Sequence, residues 1–228
     1  MKITFLGHAA FLMEGSKTIL IDPFLSSNPA CPVKPSEIKC DYILVSHGHN
    51  DHLGDALEIS RQNKAPIIAV FELARYCQQQ GALAHPLHIG GGHNFAGTYI
   101  KTTPAWHGNS VEAPDGSSLY TGVACGFIIN LDGKVIYHAG DTGLFGDLAL
   151  LGRMNTLDLA LLPSGDNFTM GPEDALEAVK MLQSPVVIPM HYNTFPLIAQ
   201  DAQLFKQKTE SQTSSRVIIL EPGQSWEL

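Results

Sequence analysis

The sequence is poor in positive charge and has no long apolar run. Lysine and arginine total 14 against 22 aspartates and glutamates, so the formal net charge is −8. Proteins that hold nucleic acid through its phosphates carry the opposite balance, which argues against nucleic acid as a partner. No stretch reaches the roughly 18 consecutive apolar residues of a transmembrane helix, so no integral membrane contact is expected.

Cysteine is sparse as well. Cys31, Cys40, Cys77 and Cys125 form no Cys-x-x-C pair, and a chain of this size does not need disulfides for stability. The mildly apolar N-terminal stretch is interrupted by His8 and lacks the small-residue cleavage site of a secretory signal. These features predict free thiols and a cytoplasmic location.

The remaining composition is that of a globular protein. With 228 residues, 44% of them hydrophobic, the chain can bury one full-sized core, and we predict a single domain over residues 1–228. Short apolar runs come first as strand hairpins, and later strands alternate with helical segments. Two sheets between helical layers would bury all of these runs.

The densest cluster of titratable side chains lies in the stretch SHGHNDHLGD, residues 46–55, which holds three histidines and an aspartate within six positions. It follows a predicted buried strand, Tyr42–Val45, and precedes a predicted helix, Leu53–Gln62. Gly48 has no Cβ, so the backbone can bend until both flanking histidines point inward. On its own a His-x-His pair is more often incidental, and Asp51 could simply cap the helix.

Four other predicted strands also end next to a candidate metal ligand. They are Thr18–Ile21 before Asp22, Tyr99–Thr103 before His107, Val135–His138 before Asp141, and Val186–Pro189 before His191. Taken singly, each residue has a plainer structural explanation, such as a turn or a buried histidine. Because sites in α/β architectures lie beyond the carboxyl ends of strands, we expect these side chains to converge. Imidazoles and carboxylates without cysteine suit a pair of catalytic divalent ions.

For five further histidines the sequence gives weaker evidence of a place in the metal site. His85, His88 and His93 lie in a turn-rich segment and are predicted to have surface or core roles, and His138 alternates along a strand and is predicted to be structural. His8 follows the first predicted strand. For His8 a plain strand-end position and a place in the site are equally favoured.

These motifs resemble those of the metallo-β-lactamase superfamily. The sequence His47-Gly48-His49-Asn50-Asp51-His52 matches its His-x-His-x-Asp-His signature, and Asp22 before it and His107, Asp141 and His191 after it stand in the family's order. The resemblance implies an α+β fold, a four-layer αβ/βα sandwich with a metal site at one edge of the β-sandwich. It also implies a first ion on His47, His49 and His107, a second on Asp51, His52 and His191, with Asp141 on both, and Asp22 orienting a ligand histidine from behind.

Within the superfamily the chain is similar to a compact branch of uncharacterised metal-dependent hydrolases related to ascorbate-6-phosphate lactonase. The segments 7–12, 21–24 and 140–142 carry this likeness. Asp141 stands where several β-lactamases have cysteine, which argues against antibiotic hydrolysis. No ligand histidine is replaced by glutamate, which counts against the diiron oxidoreductases of the superfamily.

The resemblance implies a hydrolase that uses hydroxide bound to two divalent ions. We expect it to act on a small-molecule ester, lactone, amide or phosphodiester. Asp51 is predicted to orient the nucleophile, and His8, with Tyr192 second, is the candidate donor of a proton to the leaving group. A diiron oxidoreductase and a non-catalytic metal-binding module are the alternatives.

The metal and the substrate are less constrained by the sequence. Zinc is the expected ion, but Mn, Fe or Ni accept the same ligands. The segments Ser26–Lys39 and Asn109–Thr121 are predicted loops that wall the pocket, and their serines, asparagines and lysines indicate a polar, even anionic, substrate. A homo-oligomer is left open.

Overall fold

The fold is built on two seven-stranded sheets and one small hairpin. The structure is a computed structural model that describes all residues, 1–228. The strands are β1 (Lys2–Gly7), β2 (Ala10–Glu14), β3 (Thr18–Ile21), β4 (Tyr42–Leu44), β5 (Ile67–Val70), β6 (Ala84–Leu87), β7 (Gly92–Phe95), β8 (Thr98–Pro104), β9 (Ser110–Glu112), β10 (Ser118–Tyr120), β11 (Cys125–Leu131), β12 (Lys134–His138), β13 (Leu159–Pro163), β14 (Val186–Met190), β15 (Arg216–Val217) and β16 (Ser225–Glu227).

Six helices accompany the sheets. They are α1 (Asn50–Leu53), α2 (Ala56–Asn63), α3 (Phe71–Gln79), α4 (Leu148–Met154), α5 (Pro172–Leu182) and α6 (Ala202–Gln212), with short 3-10 turns at Pro35–Glu37 and Pro196–Ile198. None of these helices has the length and apolarity that crossing a bilayer requires.

Each sheet has an antiparallel half and a parallel half. The first sheet runs β16-β1-β2-β3-β4-β5-β6, antiparallel as far as β3 and parallel from β3 to β6. The second runs β15-β14-β13-β12-β11-β8-β7, parallel from β15 to β12 and antiparallel beyond. The predicted order of hairpins followed by helix-connected strands therefore describes the first sheet, and the second repeats it: β7, β8, β11 and β12 are antiparallel, and β13 to β15 are parallel and joined by helices. The predicted α+β architecture is confirmed.

One continuous core joins the two sheets. Fifty-nine buried apolar side chains form a single contact cluster that draws on both, including Phe11 on β2 and Phe127 on β11. Parallel strands in the middle of a sheet are apolar along their whole length when both of their faces are covered, as in β5 and β13. All residues of β5 and of β13 are buried. The core therefore holds these strands rigidly, and this fixes the positions at which the loops after their carboxyl ends begin.

Two predicted elements differ from the structure. The helix expected at Leu53–Gln62 is interrupted at Gly54, where φ is +40° and an added Cβ would overlap the backbone carbonyl of Pro23. The loop expected at Asn109–Thr121 contains the hairpin of β9 and β10. Its strands are three residues each and mostly exposed, and only Val111 is buried. The sequence therefore has no apolar run that would predict them.

Candidate metal centre

The predicted ligands meet at one edge of the molecule. β3 leads to Asp22 and β4 to the turn of residues 46–52, both from the first sheet. From the second sheet β8 leads to His107, β12 to Asp141 and β14 to His191. The structure thus brings together all of the residues for which the sequence predicts a metal-binding role, and it takes them from both sheets.

Three imidazoles form a first group. His47 Nε2 lies 3.0 Å from His49 Nδ1, and His107 Nε2 lies 3.3 Å from the same His49 atom. All three nitrogens fall within 4.8 Å of one another. A hydrogen bond can satisfy two such nitrogens at a time, whereas one cation accepts all three lone pairs. The geometry is that of a three-histidine metal site.

A second group surrounds the carboxylate of Asp141. Asp141 Oδ1 lies 3.2 Å from His52 Nε2, and Asp141 Oδ2 lies 3.0 Å from His191 Nε2 and 3.6 Å from His107 Nε2. Its two oxygens therefore face both groups of imidazoles. Asp51 Oδ2 lies 4.0 Å from His191 Nε2, on the solvent side of the cluster.

The buried atoms of this second group lack hydrogen-bond partners. His52 Nε2, His191 Nε2 and Asp141 Oδ1 are close to other polar atoms but make no aligned hydrogen bond. The three side chains are at most 3% exposed. Polar atoms left unpaired in the interior are costly, and native proteins rarely tolerate several together. A divalent cation would pair all three, so the residues present fit a metal.

Asp22 fixes the ligand histidines from behind. Its Oδ2 accepts hydrogen bonds from the Ser46 hydroxyl, at 2.7 Å, and from His52 Nδ1, at 2.8 Å, while Oδ1 accepts the Ser46 amide. The bond to Nδ1 sets the tautomer of His52, so that the Nε2 lone pair faces the cluster. Ser46 Oγ also lies 3.0 Å from His47 Nδ1. Ser46 was not predicted as a site residue, although it directly precedes the histidine motif.

His8 lies against the second group. Its Nε2 is 3.1 Å from Asp51 Oδ2, its Nδ1 is 2.9 Å from Thr194 Oγ1, and its carbonyl accepts the backbone amide of His191. The residue is 2% exposed and has a left-handed backbone with φ of +59°. No sequence signal identified Thr194, because its role depends on a tertiary contact.

Burial and charge shift the titration of the cluster. Burial lowers the pKa of His47 well below its usual range. For His52 burial also acts to lower the pKa, but the carboxylates of Asp141 and Asp22 outweigh it and raise the pKa well above normal. Burial acts to raise the pKa of Asp141, yet His52 and His191 hold it well below its usual range. Without an ion the cluster therefore keeps Asp141 anionic and His52 protonated, and binding of a metal would release the proton from His52 Nε2 and free its lone pair.

Apolar side chains flank the entrance. Trp106 is 72% exposed, and its backbone joins the segment before His107 to the one after Asp141, through bonds to Thr142 Oγ1 and the amide of Gly143. The ring of Phe195 lies 5.6 Å from that of His8. No motif in the sequence indicated these two aromatic residues, because loop position alone places them here.

Other predicted residues lie elsewhere. Lys39 lines a shallow pocket with Thr18 and Asp41, at the amino ends of β3 and β4 and therefore opposite the cluster. It does not support the expectation of an anionic substrate. His85 and His93 contact each other on the edge strands β6 and β7, and His138 Nε2 bonds the carbonyl of Ala9. These agree with the structural roles predicted for them.

Comparisons with known proteins agree with this geometry. The family model described as Beta-lactamase superfamily domain matches residues 17–192. A UPF0173 metal-dependent hydrolase of Pelotomaculum thermopropionicum is 61% identical over 228 residues, all of both chains, and one of Desulforamulus reducens is 58% identical over 225 residues, 98% of each. The solved structure of Igni18, a metallo hydrolase from the archaeon Ignicoccus hospitalis, is 39% identical with a TM-score of 0.88 and covers 100% of this chain and 98% of its own.

Proposed function

The chain is a metal-dependent hydrolase of the metallo-β-lactamase superfamily, and from this premise we propose that it uses two divalent ions to hydrolyse a small ester, lactone, amide or phosphodiester. The family and the enzyme class are those that the sequence motifs predicted. The number of ions, their identity and the substrate belong to the proposal.

One observation carries the two-ion proposal. Two groups of nitrogen and oxygen atoms, each compact enough for one cation, share a single carboxylate between them. One ion would be held by His47, His49 and His107 and the other by Asp51, His52 and His191, with Asp141 reaching both. Four atoms of the second group, including both ring nitrogens of His191, have no hydrogen-bond partner in the protein. Zinc suits this donor set, and Mn, Fe or Ni would also be accepted.

When bound, such ions would lower the pKa of a water molecule to supply the nucleophile and would polarise the substrate oxygen. The residues of the chain arrange this chemistry. Asp51 is 30% exposed at its side chain, whereas His52 and Asp141 are at most 3% exposed. Asp51 is therefore the ligand carboxylate that an incoming substrate meets, and we assign it the orientation of the nucleophile.

His8 fits a positioning role better than proton donation to the leaving group. Both of its ring nitrogens already have partners, Asp51 and Thr194, and the ring has almost no contact with solvent. Burial lowers the pKa of His8 to about 4, so its imidazole is neutral at pH 7. A neutral ring can donate one proton to Asp51 and accept one from Thr194, which holds Asp51 in place.

The test is substitution of the shared carboxylate. Asp141→Ala should lose metal and hydrolytic activity together while the protein stays folded, measured by elemental analysis, circular dichroism and a screen of lactones, thioesters and phosphodiesters. Asp147→Ala, an exposed aspartate that makes no capping hydrogen bond, is the matched control and should change neither. A metal-free Asp141→Ala variant with full activity would refute the proposal. Two irons with colour but no hydrolysis would favour the oxidoreductase alternative.

A further inference from the structure

A polar cavity lies beside the first group of imidazoles, between α1 and the β9–β10 hairpin. Its volume is about 360 Å³, within the range of small-molecule sites. It has no apolar lining residue and is lined by His49, Asn50, Ser110, Glu112, Gly116 and Ser118. Because His49 belongs both to this cavity and to the metal cluster, a substrate held at the cluster can extend a substituent into the cavity.

The wall of this cavity is fixed to the histidine motif. Asn109 is buried, and its Oδ1 accepts the Gly48 amide at 2.8 Å and the Thr121 hydroxyl at 2.7 Å. A Cβ on Gly48 would come within 3.0 Å of the carbonyl of Ser110 and closer still to Val111. The hairpin therefore packs directly on the turn that carries His47 and His49, and the cavity is preformed rather than assembled around a ligand.

The cavity is acidic in its lining. The carboxylate of Glu112 accepts a hydrogen bond from Asn50, and no lysine or arginine lines the cavity. A second, smaller pocket beside His8 likewise holds a carboxylate, Glu221, and no lysine or arginine. Arginine and lysine are the side chains that most often bind carboxylate and phosphate groups, and neither lines these two pockets. Lys17 and Lys134 are bound to aspartates at the other end of the strands.

We propose that this cavity binds a hydroxyl- or amine-bearing substituent of the substrate and excludes a carboxylate or phosphate substituent. This deepens the proposed hydrolase function and rests on it. The hydroxyls of Ser110 and Ser118, the amide of Asn50 and the carboxylate of Glu112 supply the donors and acceptors for such a group. The ions themselves would attract any anion, wherever its charge lies. The preference for an uncharged or cationic substituent in this cavity therefore comes from Glu112.

The experiment uses the full chain loaded with zinc and four γ-butyrolactones that differ in one substituent: hydroxymethyl, aminomethyl, carboxyl, and the phosphate ester of hydroxymethyl. We expect kcat/KM for the first two to exceed that for the anionic pair by about fivefold or more, the size of a like-charge repulsion across about 4 Å at the dielectric constant of water. Glu112→Gln should reduce the ratio of kcat/KM between the first two lactones and the anionic pair by about threefold, and Glu112→Lys should reduce it further. Both reductions should be smaller in high salt, because salt screens the charge of Glu112. Glu58→Gln, on the exposed face of α2, is the control and should leave the ratio unchanged.

Binding of the four matching γ-lactams, measured by calorimetry, separates this proposal from the hydrolase function. Lactams that bind in the expected order, without any lactone hydrolysis, would support the cavity and remove lactones from the proposed substrates. Hydrolysis with the carboxylated or phosphorylated lactone preferred would overturn the cavity proposal alone. A preference that does not respond to the Glu112 series, or the binding of none of the lactams, would overturn it as well.

Discussion

Single residues determine how the ligands are held, and Asp22 is the strongest case. Asp22→Asn keeps the size of the side chain and tolerates the left-handed backbone found here, with φ of +43°. It removes the charge that binds His52 Nδ1. We expect metal affinity to fall about 10- to 100-fold with the fold retained, measured by competition with a chromophoric chelator.

Asp41→Asn is the matched control for this substitution. Asp41 also accepts hydrogen bonds from a lysine and a backbone amide, but it does so at the opposite ends of the same strands. Its loss should leave metal affinity unchanged. Equal affinities in Asp22→Asn and the unsubstituted protein would show that His52 needs no carboxylate behind it.

The role of His8 can be tested at the same scale. His8→Asn suits the left-handed backbone and removes the contact to Asp51. A positioning role predicts about tenfold weaker binding of one of the two ions and a kcat–pH profile of unchanged shape. Metal titration and the profile measure these separately. Full metal affinity together with loss of the alkaline limb would instead identify His8 as the proton donor.

At the scale of elements, the close contact between the histidine turn and the β9–β10 hairpin is the feature most sensitive to change. Gly48→Ala would force a Cβ against Val111 and the carbonyl of Ser110. We expect a loss of about 1–3 kcal/mol in the free energy of unfolding, since the backbone of the hairpin cannot yield freely. Urea denaturation measures it.

Gly146→Ala provides the control, because an added Cβ there meets no atom within 4 Å and the glycine does not need a positive φ. Its stability should stay within about 0.5 kcal/mol of the unsubstituted protein. If Gly48→Ala were equally stable, the hairpin would be free to move away from the turn, and the cavity beside His49 would not be preformed.

Sequence patterns located the elements that carry long apolar runs. Thr18–Ile21 matches β3 in full, and Val186–Pro189 differs from β14 by one residue. The β9–β10 hairpin escaped prediction because its six residues are mostly exposed and make no apolar pattern. Likewise the convergence of the candidate ligands could be predicted, since they follow strands, whereas Thr194 and Trp106 gain their places from contacts between loops distant in sequence. Tertiary packing supplies that information, and local composition does not.

At the scale of the whole molecule, the candidate metal cluster is a concentration of buried polar groups, several of them unpaired, that a bound cation would satisfy. Chelation should therefore lower the melting temperature. Ions present at about 100 times their dissociation constant would each add about 2.7 kcal/mol. For a protein of this size each kcal/mol corresponds to about 2–4 °C.

Calorimetry of chelated and metal-reloaded protein measures this difference. Recovery of the original melting temperature on reloading is the control for damage by the chelator. A melting temperature that stays constant while elemental analysis confirms removal would mean that the unpaired atoms of His52, His191 and Asp141 cost nothing, against the physical argument for the site.

Cellular location and domain count stay predictions. All four cysteines are free thiols, and burial raises the pKa of Cys77 to about 12, which makes it unreactive. This agrees with a chain that does not depend on disulfides. The single core shared by both sheets favours one cooperative unit, which a single calorimetric transition would test.

The division of the candidate ligands between the two sheets has a consequence for fragments of the chain. Residues up to Leu87 supply Asp22 and the histidine motif, and residues from Gly92 onward supply His107, Asp141 and His191. Each proposed ion takes ligands from both pieces, so neither piece alone has a complete set. A protein cut between β6 and β7 would keep its ions only while the two pieces remain together, so its metal content would measure how tightly they reassociate.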